Sequence, residues 1–161
     1  MTDPWVNVDI HPIEWERRTE EVAKYIPRGS HIVEIGAGRQ HLKDCCPQAL
    51  SYFATEYVLG DPEVHQPVPR GTIVVAIGVM EYVKDLRLAS MQMSLIAPRA
   101  IMTFCPTLSE QKEARRKAKV GWRNYLTLNQ FLYAFDVGGY WEKVYAMGEW
   151  MDHQIIWARR S

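Results

Sequence analysis

HIVEIGAGRQHL, residues 31–42, decides the fold. A short apolar run carries an acid, then meets two glycines two apart. The run predicts a buried strand over 31–36 that enters a glycine turn, and HLKDCC (41–46) a brief helix stopped by Pro47. Such a turn cradles a dinucleotide's phosphates, seats another nucleoside, or only bends the chain. A dinucleotide fold needs G-x-G-x-x-G, whose last glycine lets helix and strand pack closely. Here that position is His41, and no Gly-Lys-Ser/Thr follows to make a P-loop.

What remains is Glu34, two residues before Gly36. A carboxylate there opposes a pyrophosphate and suits a cationic ligand. Gly36 and Gly38, without Cβ atoms, let such a ligand approach the backbone. A nucleoside also needs an acceptor for its ribose hydroxyls at the end of the next strand, about 20 residues on. SYFATEYV (51–58) reads as that strand, and Glu56 lies 18 residues past Gly38. An ionised Glu56 offers two acceptor oxygens for a diol.

Outward from this turn, strands alternate with helices. Residues 13–26 predict a helix from apolar spacing at 15, 19, 22, 23 and 26, counting the methyl of Thr19, ended by Pro27-Arg28-Gly29. GDPEVHQPVPRG (60–71) is a loop, and TIVVAIGV (72–79) a strand apolar on both faces. VKDLRLASMQMSLI (83–96) predicts a helix with Leu86, Met93 and Ile96 toward a core, and AIMTFC (100–105) the next strand. EQKEARRKAKV (110–120) reads as a polar helix. LTLNQFLYAFDVGGY (126–140) is an amphipathic helix with Thr127 as N-cap and two glycines at its end. YWEKVYAM (140–147) and HQIIWARR (153–160) then form a hairpin joined by GEWMD.

The expected fold is therefore α/β: a Rossmann-like, mostly parallel sheet with helices on both faces and a C-terminal antiparallel hairpin. At 161 residues it is read as one domain. Residues 1–28 form an N-terminal helical segment, 29–105 a cofactor-binding half and 106–161 an acceptor-side half. The chain is 47% hydrophobic, enough for a layered core, and carries 19 acidic and 19 basic residues. With no net field, attraction to nucleic acid or anionic lipid needs a local patch. KEARRKAKVGWRNY (112–125), with six basic residues and one acid, suits steering of an anionic substrate such as a nucleotide-linked sugar, carrier phosphate or RNA, and its plainer reading is a solvated helix face. No run reaches the roughly 18 apolar residues of a membrane span, and the N-terminus lacks the basic start and greasy run of a signal peptide. Cys45, Cys46 and Cys105 are an odd set with no disulfide framework, so a reducing cytoplasm is expected.

With these residues in view, the sequence resembles the class I S-adenosylmethionine-dependent methyltransferases. VEIGAGRQHL is similar to their first motif, E/D-x-G-x-G-x-G, and ATE to the end of their second strand. TIVVAIGVMEYVKD resembles their fourth strand and following turn. GWRNYLTLNQFLYAFDVGGYWEKV resembles a late stretch common among small-molecule and sugar-directed members. The likeness runs over about residues 13–160. It implies S-adenosylmethionine as cofactor. Glu34, Gly36, Ala37 and Gly38 would lie by its methionyl part, Glu56 by its ribose, and Gly78, Val79 and Met80 on the sulfonium side. Arg39 would point to solvent or meet the methionyl carboxylate.

The sequence also departs from that pattern. Gln40 replaces the third glycine, and Thr72 stands where an acid often opens the fourth strand. Only fifteen residues, 57–71, separate Glu56 from Thr72, too few for the usual helix, strand and loop. One sheet edge is therefore expected to be shortened, leaving Tyr57, Val58 or Asp61 for the adenine. No Asn/Asp-Pro-Pro-Tyr turn follows the fourth strand, which disfavours exocyclic base nitrogens of nucleic acid. The expected acceptor is a hydroxyl or amine on a small molecule or sugar. The alternative is a non-catalytic domain that keeps the fold for interaction, for instance as a homodimer.

No catalytic residue stands out. Glu81 suits a base or a helix cap, and His41 a packing histidine. His41, Cys45, Cys46 and His65 lack the spacing of a zinc site, so no metal is expected. Cys105 reads as a buried thiol.

Overall fold

In the computed structural model, residues 12–63, 67–107 and 121–160 are described. His65 and the expected helix over 110–120 lie outside them. Helix α1 (Pro12–Ala23) leads into β1 (His31–Ile35), α2 (His41–Cys45) and β2 (Ser51–Thr55). Then come β3 (Ile73–Ala76), a single 3₁₀ turn (Met80–Tyr82), α3 (Leu86–Ile96) and β4 (Arg99–Phe104). Helix α4 (Leu128–Asp136) precedes β5 (Lys143–Trp150) and β6 (His153–Arg159).

The six strands make one sheet in the order β2-β1-β3-β4-β6-β5. The first four are parallel, and β6 runs antiparallel to both β4 and β5. Among the described residues no strand lies beyond β2, so the expected shortening is at this edge.

Alternation along each central strand separates two cores. Val33 and Ile35 of β1, Val74 and Ala76 of β3, and Met102 and Phe104 of β4 face α3 and α4. Their neighbours Ile32, Ile73, Val75 and Ile101 face α1 and α2, meeting Val22, Ala23, Ile26 and Leu42. Helices thus cover both faces. In the first core Phe104 stacks on Phe131 at 4.2 Å, and Phe131 on Phe135 at 5.9 Å.

The helix ends follow local chemistry. The side chain of Asp85 accepts from the Leu88 N–H, so α3 starts at Leu86 rather than at 83. Thr127 and Gln130 form a reciprocal capping box at α4.

The hairpin differs from expectation. GEWMD was expected to join its strands, yet β5 continues through Trp150 and only Met151 and Asp152 form the turn, Met151 at φ 52°. Gly148 is a strand residue with a steric reason: a Cβ there would lie 2.4 Å from the Tyr25 hydroxyl oxygen. A register shift between Ala146 and Gly148 bends the strand beside it.

Candidate functional site

The carboxyl ends of β1 to β4 open onto one end of the sheet, where open α/β sheets bind ligands. Because β6 is antiparallel to β4, the β5–β6 turn comes to the same end.

Gly36 leaves β1 at φ 65°, and its N–H donates to the Thr55 carbonyl at 2.8 Å. A Cβ on Gly36 would lie 2.7 Å from Val79 Cγ2, so the β1 and β3 turns touch here. Gly38 also has a left-handed backbone, at φ 47°, but no atom lies within 4 Å of its Cβ position. Its N–H donates to Glu56 Oε1 at 3.2 Å. The structure thus brings Gly36, Gly38, Val79 and Glu56 together at one rim, with open space over Gly38. Ala37 lies between the glycines, half-buried. Gln40, in the third-glycine place, adopts the left-handed region at φ 58°, a conformation that costs a non-glycine residue about 1 kcal/mol.

Two expected residues are placed differently from the others. Glu34 faces the α1/α2 side with Ile32 and is only 4% exposed. The Tyr52 hydroxyl donates to its carboxylate. Burial pushes the Glu34 carboxyl up to about 7, against the opposing effect of the Tyr52 hydrogen bond and with help from nearby Glu56. The carboxylate at the rim is accordingly that of Glu56, and Glu34 lies beneath the turn, where burial favours its neutral form. Met80 is fully buried in the α3/α4 core, and its carbonyl accepts from the Asn124 amide at 2.7 Å. Its side chain therefore points into the core and away from the rim, whereas Gly78 and Val79, just before it, are half-buried.

A second group of side chains adjoins this rim. Gly78, at φ 68°, donates its N–H to Thr103 Oγ1 at 2.8 Å. Arg18 of α1 lies over Gly78, with Nη2 2.5 Å from the position of a Cβ. Arg18 Nη1 and His153 Nε2 are 3.1 Å apart, and His153 Nδ1 and Asp152 Oδ1 2.9 Å. An arginine only donates, so Nε2 accepts, and Nδ1 carries the proton given to Asp152. Asp152 is held down to about 2, first by that His153 hydrogen bond and also by one from the Cys105 thiol.

Glu81, 1% exposed, uses Oε1 to accept the Cys105 N–H at 2.9 Å. It is a buried structural acid beside Arg18, not a group open to an acceptor. Cys105 is buried as expected. Its donor atom and those of Asp152 and His153 lie within 4.8 Å of one another, but Arg18 already brings a positive charge to them. His41 lies 3.8 Å from Glu20, and among the described residues neither Cys45 nor Cys46 joins it in a ligand set.

Sequence reasoning missed the Asp152–His153 pair and its link to Arg18. The available signal was Met151-Asp152-His153 at a hairpin tip, on the side where the parallel strands end.

No protein-family model matches this sequence, and no curated protein matches it. Solved structures do match, and they share its architecture. A possible histamine N-methyltransferase from Thermotoga maritima superposes with TM-score 0.63 at 11% identity, over 91% of this chain and 89% of the other. Human N-acetylserotonin methyltransferase, solved with S-adenosylmethionine, gives 0.64 at 9% identity, over 90% and 51%. A methyltransferase of calicheamicin biosynthesis in its S-adenosylhomocysteine-bound form gives 0.63 at 11%, over 92% and 54%. This chain therefore spans most of the first and about half of the other two. Together with the strand order and the glycine turn after β1, these likenesses show that the chain has the fold of the class I S-adenosylmethionine-dependent methyltransferases.

Proposed function

We propose that the chain binds S-adenosylmethionine at the β1 glycine turn and transfers its methyl group to a hydroxyl or amine of a small molecule or sugar. The observation that carries this reading is Glu56. Its carboxylate reaches the Gly38 N–H at 3.2 Å beside open space, where an acceptor for two ribose hydroxyls is required. The clear space over Gly38 is what a nucleoside lying against this turn requires. When bound, the cofactor supplies a methyl group already activated by a sulfonium.

The protein's part is then mainly positioning. Glu56 and the Gly38 backbone fix the nucleoside, and Gly78 and Val79 border its far end. Holding acceptor and methyl in line supplies several kcal/mol of barrier reduction without a base. Known ligands of the structural neighbours support the cofactor class. No helix among the described residues is long and apolar enough to cross a membrane.

The test is acceptor-dependent release of S-adenosylhomocysteine from S-adenosylmethionine across a panel of hydroxyl- and amine-bearing small molecules and sugars. Saturable release with one class supports the reading. Cofactor binding without release from any of them overturns the assigned acceptor.

The shortened edge at β2 favours a second reading, a methyltransferase-like module for interaction. That reading requires the chain to bind neither nucleoside.

A further inference from the structure

His153 stands between a buried cation and a buried carboxylate. Its Nε2 accepts from Arg18 Nη1 at 3.1 Å and lies 3.8 Å from Glu81 Oε1. Its Nδ1–H donates to Asp152 Oδ1 at 2.9 Å. This arrangement leaves two buried atoms without a hydrogen-bond partner among the described residues: Arg18 Nε, a donor, and Glu81 Oε2, an acceptor. Glu81 is 1% exposed, so its second oxygen is shielded from bulk water, a costly state for a carboxylate.

One added proton reverses these contacts. Nδ1 already carries a hydrogen, so the new one goes on Nε2. There it points at Arg18, which cannot accept it and has the same charge. Glu81 is an acceptor within reach, with an oxygen to spare. A small rotation about the Asp152 anchor therefore trades the Arg18–His153 bond for an ion pair between His153 and Glu81. The remaining groups around the ring leave this exchange open. Asp152 is a carboxylate throughout, held down to about 2, and takes a hydrogen bond from the Cys105 thiol. Tyr82, near Arg18 and Glu81, stays neutral because burial pushes its hydroxyl up. The Trp150 ring, 6.3 Å from the imidazole, carries no charge.

Arg18 is the group released. Its Nη2 rests on Gly78, 2.5 Å from where a Cβ would stand. Burial lowers its pKa and Glu81 is the first charge opposing that shift, so the guanidinium is a desolvated cation with few partners. Without His153, and with Glu81 shared, it regains water by leaving Gly78, and α1 moves with it.

We propose that His153 is a proton-driven latch between α1 and the β5–β6 hairpin. Neutral, it holds Arg18 over Gly78; protonated, it turns to Glu81 and frees Arg18 and the helix that carries it. The inference stands whether or not the chain binds a nucleoside.

The test uses the Glu34→Gln chain, which removes the buried acid that titrates at about 7. Nuclear magnetic resonance of the ring nitrogens follows His153, and hydrogen-exchange protection factors follow α1. His153 is expected as the Nδ1–H tautomer at pH 8 and doubly protonated at pH 5. Over that step, protection of the amides of residues 16–22 should fall about 10- to 100-fold, the loss of a hydrogen bond from a charged donor. Val74 in β3 and Ile101 in β4 should keep theirs. His41, 3.8 Å from Glu20 of α1, tightens that pair when protonated and so acts in the opposite direction. His153→Gln accepts from Arg18 without titrating and should keep α1 protected at both pH values. Arg18→Met should leave α1 weakly protected at both.

An Nε2–H tautomer at pH 8, a ring still neutral at pH 5, or α1 protection unchanged while His153 takes up its proton overturns the latch. So does a loss of protection that persists in His153→Gln, or one shared equally by β3 and β4. If Arg18→Met does not fold, the comparison of His153→Gln with its parent decides alone.

Discussion

The Tyr52 hydroxyl, on the edge strand, donates a hydrogen bond to the buried carboxylate of Glu34 on the neighbouring strand. Burial still dominates and moves the Glu34 carboxyl from its ordinary 4.5 to about 7. Between those values the folded chain holds a proton that the unfolded chain has lost. Stability must fall as pH rises through this window and level off above it, by about 3 kcal/mol at the plateau. Glu34→Gln removes the titration. Urea midpoints at pH 5 and pH 8 should then converge, with the variant the more stable protein at pH 8. A wild-type-like decline in Glu34→Gln would show that another group causes it.

Gly36 and Gly38 make a contrasting pair. Both have left-handed backbones, which cost an L side chain about 1–2 kcal/mol, but only Gly36 also lacks space. Gly36→Val should abolish cofactor binding and lower the melting temperature by several degrees, with far-ultraviolet circular dichroism largely unchanged. Gly38→Ala should carry the backbone cost and bind more weakly without losing the site. Unchanged affinity in Gly36→Val would remove the turn from the binding site.

Trp141 Nε1 donates to Ser90 Oγ at 2.9 Å inside the α3/α4 core, both residues being buried. Ser90→Ala strands the indole N–H and should cost about 1–3 kcal/mol. Trp141→Phe in the same chain removes the stranded donor. The double variant should therefore lose less than the sum of the two single losses, as read by chemical denaturation.

Much of this fold is legible in the sequence because its signals are local. The apolar runs 31–35 and 73–76, Thr127 with Gln130, and the prolines of 60–71 act over a few residues. The fifteen-residue gap after Glu56 gives the short edge by counting alone. The proximity of Gly36, Gly38 and Glu56 is legible, because a strand, a turn and a strand end fix their relation.

What was illegible depends on distant parts of the chain. Whether Glu34 faces ligand or core is set by the strand pleat and by Tyr52, and charge alone suggests the wrong environment. Met80 follows two turn residues that face the rim, yet the 3₁₀ turn rotates it into the core. Arg18 and His153 are 135 residues apart and meet only because α1 and the β5–β6 hairpin reach the same end of the sheet. GEWMD looks like a five-residue loop until Tyr25 explains Gly148.

The central claim is that the rim of Gly36, Gly38 and Glu56 holds a nucleoside, and calorimetric titration of wild type and Glu56→Ala with S-adenosylhomocysteine tests it most directly. The account predicts a saturable one-to-one heat for wild type and affinity about 10- to 100-fold weaker for Glu56→Ala, the loss of hydrogen bonds to a charged acceptor. No heat from wild type at millimolar ligand, or equal affinity in the two proteins, would contradict it.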